Sequence, residues 1–292
     1  VAAEDPAIPA YRLVTEAARL YAASDWTAAL EKLLEVLPLP ENARPADTLA
    51  RCLMGLAILY YWESGDYENG LAYFERAESA FRETGEEQLA TAALQFQATI
   101  RVDMAHEIGK SPARGLAPEA TALFDEAMAM FDRVLAAQRQ AGQRYEAAGT
   151  VNLIGYAHWL KGEYDDAIRM YTRAADEYRV LDEWDALTWP LNNAAVIDFD
   201  RGYLRSARDA FQGNLESIPP DMETSQRSYW LDNLGATYLA LGELDLALMA
   251  HSAALDLHVS ARPVGRRPAV AAIALCPAWR RTESDSGFEH PV

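Results

Sequence analysis

The sequence predicts an all-α chain of about six antiparallel helix pairs in tandem. Three observations carry this. First, VNLIGYAHWLKGEYDDAIRMYTRAADEY from Val151, LNNAAVIDFDRGYLRSARDAFQGNLESI from Leu191 and LDNLGATYLALGELDLALMAHSAALDLH from Leu231 align without gaps at steps of 40 residues. Self-similarity at such a period marks units that stack on one another. Second, each copy carries apolar residues at the spacing of two amphipathic helices. Third, a break recurs between those helices, at Gly65, Gly162, Gly202 and Gly242, with Ser24 in the same place near the start. Glycine ends a helix there at little cost because it accepts positive φ.

The elements follow in order. A degenerate first unit lies near residues 11–38, running from Leu13 through Trp26 and Ala29. A second, near 50–85, contains MGLAILYYWESGDYENGLAYFERAESAF from Met54. The third, near 88–142, is stretched. LATAALQFQATIRVDMAHEIG reads as its first helix, Gly109 to Pro118 as an insertion, and Pro118 as the start of its second helix. The three clear copies give units near 148–182, 188–218 and 228–260. Residues 261–292 break the rhythm and read either as a cap or as an incomplete seventh unit; Pro277 stops any helix there.

Columns run through the copies. After the break comes an acidic residue, at Asp25, Asp66, Glu163 and Glu243, suited to the positive end of the second helix. A small residue follows at Ala29, Gly70, Ala120, Ala167, Ala207 and Ala247, where two helices can approach closely. Four residues on comes a bulky one on the same face: Leu33, Phe74, Phe124, Tyr171, Phe211 and His251. This pattern resembles the tetratricopeptide repeat (TPR), best in Gly155, Gly162, Tyr164, Ala167, Tyr171 and Ala174, and again in Gly235, Tyr238, Gly242, Ala247 and Ala254. The unit at Leu191 departs, with Asn214 in place of the final alanine. The resemblance covers roughly residues 10–260 and implies a right-handed TPR solenoid. Units near 40 residues exceed the usual length of about 34. They resemble the arrays of kinesin-light-chain-like proteins and the bacterial arrays that precede CHAT (caspase-like peptidase) domains.

Charge narrows the function. The 292 residues are 50% hydrophobic, too apolar for a disordered chain, and carry a net charge of -18. Of this, +2 lies on residues 261–292 and -20 on the rest. Such a surface argues against nucleic acid and anionic membrane as direct partners and favours a basic or neutral protein segment. The longest apolar run, Leu53 to Trp62, is half of what a bilayer needs, about 20 residues. The chain starts at Val1 and is expected to be processed or trimmed; a cytoplasmic location is favoured, a periplasmic one if a signal peptide preceded Val1. Oligomeric state is not legible.

No catalytic motif occurs: no G-x-x-x-x-G-K-[ST], G-x-S-x-G or H-E-x-x-H. Cys52 and Cys276 exclude a disulfide scaffold and a multi-cysteine metal site. Cys276 and His290 lack the surroundings of a peptidase dyad. His158 and His251 fall in columns usually filled by Tyr or Phe and read as residues of the inter-helix seam. His251 and His258 lie seven apart without a third ligand. Asp103, His106 and Glu107 read as a solvated helix end. No enzyme, metal or cofactor is expected.

The resemblance instead implies a groove lined by the first helices. Asn152, Asn192 and Asp232 share one column, and Asn193 and Asn233 follow in the next. An asparagine amide can both donate to and accept from a peptide backbone, so the ladder either holds a main chain or ties neighbouring repeats together. Trp62, Trp159 and Phe199 form an aromatic column, with Tyr156 on the same side; these either supply contact area or pack in the core. The lysine-rich clamp of chaperone-binding TPRs is absent, since the chain has only Lys32, Lys110 and Lys161. The expected function is non-catalytic protein–protein interaction through this groove. The alternative is an N-terminal sensing or recruiting array of a larger CHAT-type peptidase or of a transcriptional regulator.

Overall fold

The computed structural model describes residues 8–109, 117–217 and 227–260. All regular structure among them is helical, arranged as six helix pairs. The pairs are α1 (Ile8–Ala22) with α2 (Trp26–Leu34), α3 (Ala46–Ile58) with α4 (Tyr67–Glu83), and α5 (Glu87–Gly109) with α6 (Pro118–Gln140). Then come α7 (Arg144–Leu160) with α8 (Tyr164–Val180), α9 (Trp184–Asp200) with α10 (Leu204–Ser217), and α11 (Arg227–Leu241) with α12 (Leu244–Ser260). A π-helical turn, Leu59–Glu63, prolongs α3. The tail 261–292, with Cys276 and His290, lies outside the described residues, as do most of the insertion after Gly109 and the side chain of His258.

The turns explain the break. After α7, the Gly162 N–H donates to the Trp159 carbonyl and the Glu163 N–H to the His158 carbonyl, both at 2.9 Å. This is the Schellman closure, and it needs a left-handed residue, here Gly162 at φ 79°. Ser24 adopts the same conformation at φ 63° without glycine's freedom. A second set of left-handed residues closes the turns between pairs, at Gly85, Gly142 and Asp182. At two of the acidic positions the side chain caps the next helix: Asp25 accepts from the Ala28 N–H at 3.2 Å and Asp66 from the Asn69 N–H at 3.0 Å. Glu163 does not cap. It turns back to His158.

The described residues divide into two compact units, 8–108 with 117–130, and 131–217 with 227–260. In the first unit, Leu53, Met54, Ile58, Phe74, Phe81 and Ile100 form one buried cluster, and Val14, Leu33, Val36, Leu56 and Leu59 another. Gly70 lets α4 approach closely, since a Cβ there would lie 3.1 Å from the Tyr61 Cβ. In the second unit, Ala167 and Tyr171 are buried with Ile197, and Ala207 and Phe211 with Leu234 and Tyr238. Tyr171 lies over Gly155, and His251 takes the equivalent place over Gly235. His251 therefore does sit on the seam, but its side chain remains 44% exposed.

Asp103 is not a solvated helix end. It accepts a 2.5 Å hydrogen bond from the hydroxyl of the buried Tyr61, which the π turn presents.

Candidate functional site

In the second unit, the first helices α7, α9 and α11 lie side by side. Half-buried asparagines bridge them. The Asn233 amide donates to the Asn192 carbonyl oxygen at 2.8 Å, and Asn193 to Asn152 at a long 3.5 Å. The bonds run diagonally between the two asparagine columns, a pattern that the spacing of 40 alone does not specify. Asp232 meets the His251 ring of α12 at 3.1 Å.

Each asparagine couple spends one N–H and one oxygen. What remains in each is complementary: the NH₂ of Asn192 or Asn152, and the amide oxygen of Asn233 or Asn193. Exchanging nitrogen and oxygen in the amides reverses the direction of the bond but leaves the same inventory. Both surplus groups match a peptide unit, which offers one acceptor and one donor.

The aromatic column packs. Trp159 donates its indole N–H to Asp200 at 3.1 Å and lies on the cluster of Ala167, Tyr171 and Ile197. The Tyr156 ring lies 6.0 Å from it. Phe199 covers the cluster of Ala207 and Phe211. Trp62 belongs to the first unit, where it meets Phe96 edge-on at 5.4 Å.

Three exposed aromatics escaped the sequence reading. Trp189 is 50% exposed and Tyr145 48%, and the Tyr229 ring lies 6.5 Å from Trp189. Trp189 stands three residues before Asn192, and Tyr229 three before Asp232, so they share the face of the ladder one turn upstream. Tyr145 is seven before Asn152, two turns along the same face. The signal was present: Trp189 and Tyr229 are themselves 40 apart. Partial burial raises the Tyr145 phenol above its ordinary value, assisted by the carboxylates of Glu183, Glu146 and Asp185.

One group could hold a cation. His158, Glu163 and Asp166 have ligand atoms within 4.8 Å of one another. Protein cations already serve both acids: Lys161 lies 3.1 Å from Glu163, and Arg169 pairs with Asp166. Burial raises the Glu163 carboxyl, but hydrogen bonds from His158 and Lys161 outweigh it, and the net shift is downward. Cys52 is buried, donates to the Leu33 carbonyl and is pushed up to about 12 by burial, which leaves no thiolate for chemistry. No helix among the described residues is long and apolar enough to cross a membrane.

Residues 50–84 match the tetratricopeptide repeat family. No curated protein matches the chain by sequence. Several solved structures share the fold. BtubC (BKLC) from P. vanneervenii is 20% identical with a TM-score of 0.51, over 92% of this chain and 97% of that one. NprR in complex with its cognate peptide NprX is 16% identical with a TM-score of 0.60, over 95% and 74%. The kinesin-light-chain TPR-like repeats of Podosopora anserina are 13% identical with a TM-score of 0.50, over 76% and 99%. With a matched repeat at residues 50–84 and helix pairs of that kind before and after it, the described residues have an all-α fold of TPR-like repeats.

Proposed function

We propose that this chain is a non-catalytic protein-interaction scaffold and that the face of α7, α9 and α11 holds an extended peptide by its main chain. The observation that carries this is the unspent donor and acceptor in each asparagine couple. The two couples repeat at 40 residues on adjacent helices, so they offer a peptide successive main-chain contacts that do not depend on its side chains. The likeness to NprR, solved with its cognate peptide, supports a peptide as the occupant.

Asn192→Asp is the informative variant. It keeps an oxygen that accepts from Asn233 and replaces the spare N–H donor with a charged acceptor. Linear peptides selected from a random displayed library, restricted to those without Lys or Arg, are measured by calorimetry on wild type and variant. Affinity is expected to fall about fivefold, the worth of one hydrogen bond, with the melting temperature unchanged. Equal affinity, or a library that yields no peptide binder, refutes the proposal.

A further inference from the structure

The aromatic residues upstream of the ladder are distinguished by what surrounds them. On α9, Asp185 and Trp189 are four residues apart and both exposed, so they stand one turn apart on one face. Trp189 neighbours Tyr229 of α11, with ring centroids 6.5 Å apart and planes inclined by 36°. Toward α7, the Tyr145 ring packs edge-on against Tyr178 at 5.4 Å, and Tyr178 is buried with Ala186 and Leu187 of α9. Asp185, Trp189 and Tyr229 thus adjoin across α9 and α11, and Tyr145 lies at the start of α7 on the same ladder face.

Its carboxylates lie at the starts of α7 and α9 and form no ion pairs among the described residues. Glu146, Glu183 and Asp185 are exposed, and among the described residues none has a cationic partner. Of the two arginines on these helix starts, Arg144 is engaged by Glu177 at 2.9 Å. Arg227 lies two residues from Tyr229, which places it on the other side of α11. Some exposed acids elsewhere in this unit are matched, as in Asp176 with Arg179, Asp165 with Arg201 and Asp209 with Arg208.

Exposed aromatic faces next to unmatched carboxylates suit one chemistry. The ring quadrupole attracts a cation at its face, and the carboxylates raise the local concentration of cations. A neutral apolar side chain would gain the ring contact but would desolvate the acids without replacing their solvent.

We propose that Tyr145, Asp185, Trp189 and Tyr229, with Glu146 and Glu183 beside them, receive a basic side chain, arginine or lysine, from the peptide bound on this face. The inference rests on the peptide-binding reading for its occupant, but its determinants are a turn or two away from the asparagines. The ladder would then hold the main chain, and this end would select sequence and set register.

The test uses two synthetic peptides, acetyl-Ala-Ala-Arg-Ala-Ala-amide and the same peptide with norleucine for arginine, titrated into the isotope-labelled full chain. Two sets of resonances are followed: the Trp189 indole N–H, identified by its loss in Trp189→Phe, and the side-chain amides of Asn192 and Asn233. The arginine peptide is expected to shift the Trp189 signal saturably, with about fivefold preference over norleucine, the combined worth of one exposed cation–π contact and one exposed ion pair. The preference should fade with added salt and vanish in Asp185→Asn and in Trp189→Leu, both at exposed positions. A Trp189 signal that does not respond, or responds equally to both peptides, overturns the inference. The asparagine amides report separately. If they stay silent while Trp189 selects arginine, the main-chain reading fails and the cation subsite stands. If they respond to both peptides while Trp189 does not, the reverse holds.

Discussion

The stacking of these repeats depends on a ring lying over a glycine, and Gly155→Ala tests it directly. A Cβ at position 155 would sit 2.8 Å from Cδ1 and Cε1 of Tyr171 and 3.3 Å from the Ala167 carbonyl oxygen. The Tyr171 side chain is fully buried, so the ring has no free space to retreat into. Forcing one methyl into such packing costs about 1–3 kcal/mol. Replacing glycine by alanine inside a helix returns about 1 kcal/mol. The expected net result is a loss of about 1 kcal/mol. Gly213→Ala on α10 is the control, because its Cβ would meet nothing within 4 Å; it should stabilise by about 0.5–1 kcal/mol. Urea unfolding followed by far-ultraviolet circular dichroism measures both, read as midpoint shifts at constant slope. Opposite signs are expected. If Gly155→Ala stabilises as much as Gly213→Ala, the ring does not sit over this glycine, and the close approach of α7 and α8 is wrong.

Two further predictions concern titrating groups. The Glu163 carboxyl is lowered in the folded protein, so its interactions with His158 and Lys161 stabilise above the ordinary glutamate value of 4.5 and are lost as pH falls through the folded value. Glu163→Gln should therefore be less stable than wild type at neutral pH, and the difference should close in acid; a difference that is constant with pH would sink the assignment. In a Cys276→Ser background, Cys52 should stay unreactive toward a thiol-disulfide reagent at mildly alkaline pH until the chain unfolds, since burial holds its thiol at about 12. Reaction at the rate of an exposed thiol in the native protein would contradict its packing against Leu33.

The sequence alone determined the periodic part of this protein. Helix pairs, their glycine breaks and the small and bulky columns were legible because a tandem unit buries its apolar face only against its neighbour, and that requirement is written once per repeat. Gly162, Ala167 and Tyr171 therefore occupy the places that their columns predict. Tertiary structure alone decided what the polar columns do. Asn152 and Asn192 accept from asparagines 41 residues on, not from residues in their own column, because adjacent helices are offset and the shortest link between them is diagonal. Trp159 and Phe199 serve packing, since neighbouring repeats supply apolar surface for their rings. The start of the first helices was also a tertiary matter. The pattern suggested units from residues 148 and 188, whereas α7 begins at Arg144 and α9 at Trp184, carrying Pro190 within it. That extra turn places Tyr145 on the ladder's face of α7 and Asp185 on that of α9, one turn from Trp189, so acidic and aromatic side chains gather there from residues that no single repeat contains.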